Sequence, residues 1–179
     1  MDQGFCIWLT GLSGSGKTTI SQELARRLRK SRFIEVMDGD EIRRGLSSDL
    51  GFSKDDRNEH NKRVIFCSKL LARNGVIVVV ALISPYRETR AYAKDQIQNT
   101  FEVFVKAPLD VCIQRDPKGL YKKALAGEIR HFTGIDDPYE EPLEADVVVE
   151  TDKEDVKESV DKILAVVRER GLLSIDAPE

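Results

Sequence analysis

The stretch GLSGSGKTT, residues 11–19, decides the fold. Residues 11–18 match the pattern G-x-x-x-x-G-K-[ST], and they lie between an apolar segment at 5–9 and a stretch with helical periodicity. Glycines let the backbone curl so that successive N–H groups point at one phosphate, and the following helix adds the positive end of its dipole. Lys17 can reach the β- and γ-phosphates, and Thr18 can hold Mg²⁺. The motif and its surroundings therefore predict a nucleotide-binding P-loop.

Short apolar segments of strand length recur along the chain and alternate with polar stretches of helical periodicity. The expected strands are residues 5–9, 33–37, 76–83, 101–105 and 147–149. The expected helices include residues 18–30, 55–74, 88–98 and 154–170. Strands that are apolar on both sides indicate a parallel sheet covered by helices on both faces. We therefore expect an α/β protein in which helices sandwich a five-stranded parallel sheet.

Composition bounds the class of protein. A chain of 179 residues with 41% hydrophobic residues suits one domain, which we expect to comprise residues 1–179. The 31 acidic residues outnumber the 28 basic ones, so the net charge of -3 argues against nucleic acid or an anionic membrane as a partner. The apolar run at 75–83 is too short to span a bilayer, and the chain begins without the basic segment of a secretory signal. We expect a cytoplasmic protein.

One segment, residues 116–142, departs from the alternation of strands and helices. It carries Gly119, Gly127 and Gly134, three prolines and several lysines. A long, weakly structured stretch inside a compact domain is usually functional or disordered. We expect it to form a mobile lid.

Acidic residues follow the second expected strand. Asp38 and Asp40 stand at its carboxyl end, where open α/β sheets place their ligands. Asp40 can accept a proton from an attacking hydroxyl or bind Mg²⁺ through water, and Arg43, one helical turn on, can clamp an anion. The structural alternative is that Asp40 caps the helix and pairs with Arg43.

The next helix begins with a second group of polar residues. Ser53 and Asp56 predict a capping box. Arg57 and His60 fall on one helical face just after Phe52, and a solvated charged face is the ordinary interpretation. An exposed aromatic ring beside two polar groups also suits a planar anionic ligand.

The third expected strand leads into Ser84 and Pro85. The pair fits an N-cap followed by a first-turn proline. The functional alternative is a hydroxyl or backbone N–H that faces the acceptor or the transferred phosphate.

A P-loop alone does not separate kinases from GTPases. Asn61-Lys62 is the only Asn-Lys pair, and Arg63-Val64 follows it, so the guanine-reading pattern N-K-x-D is missing. Transfer of a γ-phosphoryl group to a small molecule is the leading hypothesis.

Five stretches together resemble the adenylylsulfate kinase (APS kinase) family: GFCIWLTGLSGSGKTT, DGDEIRRGL, LGFSKDDR, ISPYRETR and RDPKGLYKKALAGEI…FTGIDDPYEEP. The likeness extends from Gly4 to the end of the last helix, and the lid sequence is more specific than the P-loop. The resemblance implies a P-loop NTPase/kinase fold and transfer of the ATP γ-phosphoryl to the ribose 3′-hydroxyl of adenosine 5′-phosphosulfate (APS). The products would be PAPS and ADP, in sulfate assimilation.

The resemblance also implies roles near the reacting groups. Asp40 would be the base and would hold Mg²⁺ through water, together with Thr18. Asp38 would support Asp40. Arg43 and Arg57 would hold the phosphosulfate end of APS.

Further implied roles lie at the two ends of the site. Phe52 and Phe132 would stack on the two faces of the APS adenine. Lys118 and Lys122 would close over the phosphates, and Arg115 would lie near the ATP base.

Two implied roles raise questions. Ser84 matches a family serine proposed as a phosphoenzyme intermediate, but in-line transfer needs none and we expect none. Where the family usually has x-E-N-I-R-R, this chain has NEHNKR at 58–63, so His60 replaces a substrate-facing asparagine. An imidazole still donates one hydrogen bond, and its charge, unlike that of an amide, depends on pH. Asn61 is expected to substitute in part only if the helix rotates.

The expected ligand-binding residues form two sets, one for ATP and one for APS. The ATP site comprises Gly11, Leu12, Ser13, Gly14, Ser15, Gly16, Lys17, Thr18, Thr19 and Arg115. The APS site comprises Asp38, Asp40, Arg43, Phe52, Arg57, His60, Ile83, Ser84, Lys118, Gly119, Leu120, Lys122 and Phe132. The expected catalytic positions are Asp40, Lys17 and Ser84.

The resemblance implies a homodimer and a possible association with ATP sulfurylase. Three alternatives stay open: a kinase with another acceptor, a non-catalytic nucleotide-binding partner, and the kinase half of a sulfurylase-kinase fusion. Because the sequence starts with Met, a stand-alone subunit is favoured.

Overall fold

The computed structural model describes residues 3–30 and 32–173. The strands are β1 (Phe5–Thr10), β2 (Ile34–Asp38), β3 (Ile77–Ala81), β4 (Thr100–Lys106) and β5 (Val147–Glu150). The helices are α1 (Lys17–Leu28), α2 (Gly39–Leu46), α3 (Lys54–Arg73), α4 (Arg87–Gln96), α5 (Leu109–Arg115), α6 (Leu120–Leu125) and α7 (Val156–Glu169).

The strands form one sheet in the order β2-β3-β1-β4-β5, and every neighbouring pair is parallel. All residues of β1 and β3 are buried, as expected for strands covered on both faces. The α/β class and the five-stranded parallel sheet are therefore confirmed.

Alternate residues of β1 point into two apolar cores. Phe5, Ile7 and Leu9 pack in one core with residues of α1 and α7. Cys6 and Trp8 pack in the other core with residues of α3 and α4. This follows from the two-residue period of a strand, and it fixes the carboxyl end of β1 between the two helical layers.

The third strand is shorter than expected. The apolar run at 76–83 predicts a strand to its end, but β3 stops at Ala81. Leu82 keeps one bond to β1, since its N–H donates to the Leu9 carbonyl at 3.3 Å, and residues 83–85 then leave the sheet at its carboxyl edge.

The start of α3 agrees with the sequence. Ser53 Oγ accepts a hydrogen bond from the Asp56 N–H, and the Asp56 carboxylate accepts one from the Ser53 N–H. The expected capping box is confirmed, and it fixes the first turn of α3 next to Phe52.

The segment 116–142 has one regular helix, α6, and otherwise consists of turns and loops. A third apolar cluster fastens it to α5: Tyr121 and Phe132 pack with Cys112 and Ala107. In the described part of the chain, none of the helices combines the length and the apolar character that crossing a membrane requires.

Candidate active site

A cavity of about 1150 Å³ lies along the carboxyl edge of the sheet. Its walls are the P-loop, the starts of α2, α3 and α7, residues 81–85, and residues 115–133 from the end of α5 through the lid. Parallel α/β sheets bind ligands at this edge, because loops and helix N-termini converge there.

The P-loop wraps around the amine of Lys17. Lys17 Nζ donates to the carbonyl oxygens of Gly11 at 2.9 Å and Leu12 at 2.7 Å. A side chain on Gly11 would meet the Val105 carbonyl oxygen, since a Cβ there would come within 2.3 Å of it. Burial lowers the pKa of Lys17 to about 8. The loop therefore holds a partly desolvated cation at the start of α1.

Only some of the expected P-loop residues line the cavity. Thr18 Oγ1 donates to Asp38 Oδ2 at 2.9 Å, and Ser13, Gly14, Gly16 and Thr19 also line the cavity. Three expected members of the loop, Gly11, Leu12 and Ser15, do not line it.

Asp38, not Asp40, caps α2. Its Oδ1 accepts a hydrogen bond of 3.1 Å from the Asp40 N–H, so the alternative in which Asp40 is the cap is wrong. Asp40 Oδ2 instead accepts from Lys118 of the lid, and Arg43 donates to the Gly51 carbonyl at 2.7 Å. Neither the cap nor an Arg43 pair occupies the Asp40 carboxylate, which lines the cavity.

Arg43 and Phe52 form one unit. The Arg43 guanidinium lies 4.5 Å from the centroid of the Phe52 ring, which is 60% exposed. Burial and the neighbouring Arg57 lower the pKa of Arg43. Two cations that face one cavity repel each other, so an anion placed between them relieves the repulsion.

Arg57 is committed to protein partners. Its Nε donates to the Phe52 carbonyl at 2.9 Å, and its terminal nitrogens donate to Thr133 Oγ1 and the His131 carbonyl. Asp137 lies 3.8 Å from the guanidinium. Arg57 thus lines the cavity and at the same time fastens the lid to α3.

His60 and Asn61 both line the cavity while α3 remains a continuous helix. Asn61 therefore reaches the cavity wall without a rotation of α3, and its substitution for the family asparagine stays a prediction. His60 Nδ1 shares a hydrogen bond of 2.9 Å with Ser47 Oγ, and burial, then Arg43 and Arg63, lower the pKa of His60 to about 4. His60 presents a neutral imidazole at neutral pH.

Ser84 is not the cap of α4. The cap position is Tyr86, and Ser84 has a φ of 45°, with its Oγ accepting a hydrogen bond of 3.0 Å from Trp8 Nε1. Thr10 Oγ1 holds the preceding carbonyl, that of Ile83, at 2.7 Å. The prediction of a cap followed by a first-turn proline is wrong because these long-range partners take the serine away from the helix.

The lid brings some expected residues to the cavity and leaves others outside. Lys118, Leu120 and Phe132 line it, whereas Gly119 and Lys122 do not. The Phe132 ring packs edge-on against Tyr121, with the centroids 5.0 Å apart.

Thr151 is a cavity residue that sequence reasoning missed. Arg115 donates to Thr151 Oγ1 at 3.0 Å and to its carbonyl at 2.7 Å. Thr151 Oγ1 donates in turn to the Ser15 carbonyl at 2.7 Å. A signal was available, because Thr151 directly follows β5 at the carboxyl edge of the sheet.

Oxygen ligands suited to Mg²⁺ meet near the P-loop. The Thr18 hydroxyl touches the Asp38 carboxylate, and Asp40 is two residues further on. Within residues 3–30 and 32–173, His, Cys, Asp and Glu side chains form no group of three that could hold a metal. A magnesium ion at this position would need oxygens from a bound phosphate as well.

One cavity joins the P-loop at the end of β1, the acidic residues after β2 and residues from 115–133, and this arrangement defines the class of the protein as a P-loop kinase. The family model described as adenylylsulphate kinase matches residues 3–150. The chain belongs to the adenylylsulphate kinase family.

Individual relatives agree with this assignment. The adenylyl-sulfate kinase of Rippkaea orientalis is 55% identical, with 96% of both chains covered. The APS kinase of Mycobacterium tuberculosis, solved in complex with AMPPNP and APS, is 43% identical with a TM-score of 0.90, covering 94% of this chain and 99% of that one. A hexameric APS kinase from Thiobacillus denitrificans is 30% identical with a TM-score of 0.75, covering 98% of this chain and 31% of that one.

Proposed function

We infer that this protein catalyses the ATP-dependent phosphorylation of APS at its ribose 3′-hydroxyl, giving PAPS and ADP, in sulfate assimilation. The observation that carries the inference is one cavity that joins the P-loop to the acidic, cationic and aromatic residues after β2. Family membership supports it, and so does the likeness to a structure that holds AMPPNP and APS together.

The donor end is assigned to the P-loop and Arg115. The backbone N–H groups at the start of α1 suit the triphosphate, and Lys17 lies where it can turn from the loop carbonyls to the phosphates. Arg115, fixed through Thr151, suits the base of the nucleotide.

Mg²⁺ is proposed to accompany ATP, held by Thr18 and, through water, by Asp40. The hydrogen bond between Thr18 and Asp38 supports this position, since it brings a hydroxyl and a carboxylate together beside the P-loop. When bound, the ion neutralises charge on the phosphate oxygens.

The acceptor end is assigned to residues of α2, α3 and the lid. Phe52 and Phe132 line one cavity and suit the adenine of APS, and Arg43 suits its phosphosulfate group. Arg57 is proposed to contribute charge there, although its hydrogen bonds go to the lid. His60 adds a neutral polar contact to the same wall.

In the proposed reaction, the 3′-oxygen of APS attacks the γ-phosphorus in line while Asp40 accepts the hydroxyl proton. The bond from the γ-phosphorus to the bridging oxygen of ATP breaks, and ADP leaves. Lys118 leaves Asp40 and turns to the phosphates, so that the lid closes the cavity to water, which otherwise competes as acceptor. Ser84 Oγ accepts from Trp8, and direct transfer requires no phosphoserine.

The proposal also covers the assembly and its setting. We propose that residues 1–179 act as one domain with a mobile lid at 116–142, in a homodimer in the cytoplasm. The existence of a hexameric relative supports an oligomer in general terms. Association with ATP sulfurylase would supply APS directly.

A coupled ADP-release assay tests the function. APS is supplied first, then AMP, gluconate and shikimate, each with and without EDTA to remove Mg²⁺. We expect ADP release with APS only, and mass analysis should identify PAPS. Preference for another acceptor would assign a different kinase, and ATP binding without turnover in the presence of APS would assign a non-catalytic protein.

A further inference from the structure

Arg90 of α4 is a buried cation that lies outside the site residues assigned above. Its side chain is 2% exposed, and its guanidinium donates in three directions. Nε donates to Glu102 Oε1 of β4 at 2.7 Å, Nη1 to the Ser84 carbonyl at 2.6 Å, and Nη2 to the Glu140 carbonyl at 2.6 Å. One planar group thus joins the sheet, a wall of the cavity and the end of the lid.

The carbonyl of Ser84 belongs to a turn that shapes the acceptor side of the cavity. Ser84 lines the cavity in a left-handed backbone conformation, which a residue other than glycine holds only when its surroundings fix it. Trp8 fixes its hydroxyl, while Arg90 at 2.6 Å and, at a longer 3.4 Å, Thr10 Oγ1 donate to its carbonyl. Loss of the Arg90 contact therefore releases one of the bonds that hold this turn.

The carbonyl of Glu140 belongs to the carboxyl end of the lid. This end is docked on the same turn, since the Glu140 N–H donates to the Pro85 carbonyl at 2.9 Å and the Arg87 N–H donates to Glu140 Oε2 at 2.8 Å. The neighbouring Tyr139 ring lies 5.7 Å from the Arg90 guanidinium, and its hydroxyl is 2.9 Å from Thr10 Oγ1. Arg90 lies at the centre of this junction.

A lysine could not make these contacts. The Glu102 carboxylate would compensate the charge of a buried lysine amine as well as that of arginine. Only the planar fork of arginine, however, reaches a carboxylate and two separate carbonyls at once. The shape of the guanidinium, rather than its charge, is what the two carbonyls use.

We propose that Arg90 is a positioning residue for phosphoryl transfer, which holds the Ser84 turn and the carboxyl end of the lid as one rigid unit. The acceptor wall and the anchor of the lid then keep a fixed relation when the lid closes. This inference rests on the proposed function, because it assigns Arg90 to the acceptor side of that reaction.

The test compares Arg90→Lys with Lys94→Ala. Lys94 is the matched control because its ion pairs are with the same Glu102 carboxylate and with Asp146, each at 3.1 Å, and neither partner belongs to the Ser84 turn or to the lid. For Arg90→Lys we expect kcat/KM for APS to fall by about tenfold to a hundredfold, because a small misplacement of the reactants slows the reaction by this much. KM for ATP should be nearly unchanged. Amide hydrogen exchange should accelerate in peptides 82–90 and 136–143 together, and Lys94→Ala should change neither quantity.

The experiment distinguishes a failure of the proposed function from a failure of the positioning role of Arg90. If the wild-type protein does not phosphorylate APS, the proposed function fails, whereas the exchange experiment still reports whether Arg90 couples the two segments. Wild-type activity with APS, together with kinetics and exchange of Arg90→Lys that match Lys94→Ala, would overturn the positioning role. A lower melting temperature with unchanged kinetics would make Arg90 a structural residue only.

If Arg90→Lys does not fold, Glu102→Gln replaces it, because this change weakens the charged anchor that orients the guanidinium. A fall in kcat/KM for APS larger than that of Lys94→Ala supports the proposal. Equal values for the two variants reject it.

Discussion

Lys118 of the lid forms an ion pair with Asp40 in the first turn of α2. The two side chains are 49% and 62% exposed, so the pair contributes only about 0–1 kcal/mol and is readily exchanged. Both residues have proposed roles in the reaction, and this contact occupies them together. A bound triphosphate offers Lys118 more negative charge, so nucleotide binding should free the Asp40 carboxylate.

Asp40→Asn should therefore lower kcat by roughly a hundredfold or more, since the amide cannot accept the proton of the attacking hydroxyl. Glu41→Gln is the matched control, because Glu41 is an exposed carboxylate in the same turn and does not line the cavity. The ADP-release assay with APS measures both. Near-normal turnover of Asp40→Asn would remove Asp40 from the catalytic role.

The buried amine of Lys17 predicts that ATP binding is coupled to proton uptake. Burial lowers the pKa of Lys17 to about 8 in the free protein, and a triphosphate at Nζ favours the charged form. ATP binding at about pH 8.5 should therefore take up protons, and affinity for ATP should fall as the pH rises through this range. Calorimetry in two buffers of different ionisation enthalpy measures the uptake. Lys17→Met should bind ATP more weakly and without this uptake, and an unchanged uptake would assign it to another group.

Phe52 tests the acceptor site with little effect on the fold. Its ring is 60% exposed, so Phe52→Ala should raise KM for APS by about tenfold while KM for ATP stays nearly constant. The control is Phe66→Ala, since Phe66 is 62% exposed on α3, the helix that begins two residues after Phe52, and does not line the cavity. Equal weakening of APS and ATP binding by Phe52→Ala would contradict stacking on APS.

The parts of the fold that the sequence predicts are those that depend on local pattern. The P-loop, the five strands and the Ser53 capping box follow from spacing and periodicity over a few residues. The end of β3 was overestimated, because an apolar run continues past Ala81 into the cavity wall. Apolar residues indicate that a segment is buried, and a buried turn can have the same apolar pattern as a buried strand.

Ser84 and Arg57 make contacts that the sequence does not predict, because their partners are distant in the chain. Ser84 is drawn from its expected cap by Trp8, 76 positions away. Arg57 is engaged by lid residues, and Thr133 is also 76 positions from it. No local pattern encodes such pairings, because they arise only when the parallel sheet brings its carboxyl ends together. The choice of Asp38 over Asp40 as cap was a matter of two positions, within the usual ambiguity of helix boundaries.

His60 predicts a specific dependence of stability on acid. Burial lowers the pKa of His60 from 6.5 to about 4, so between these values the unfolded chain binds more protons than the folded protein. The free energy of unfolding must then fall as the pH drops through this window, and His60→Asn removes that contribution. The difference in unfolding free energy, His60→Asn minus wild type, should increase as the pH falls from about 7 to about 5 in urea titrations.

Ser47→Ala keeps the imidazole of His60 but removes its hydrogen-bond partner, so it should lower stability while retaining the acid dependence. A difference between His60→Asn and wild type that stays constant with pH would mean that His60 is protonated in the folded protein as readily as in the unfolded chain. A neutral His60 above about pH 5 also predicts that KM for APS shows no His60 titration at neutral pH.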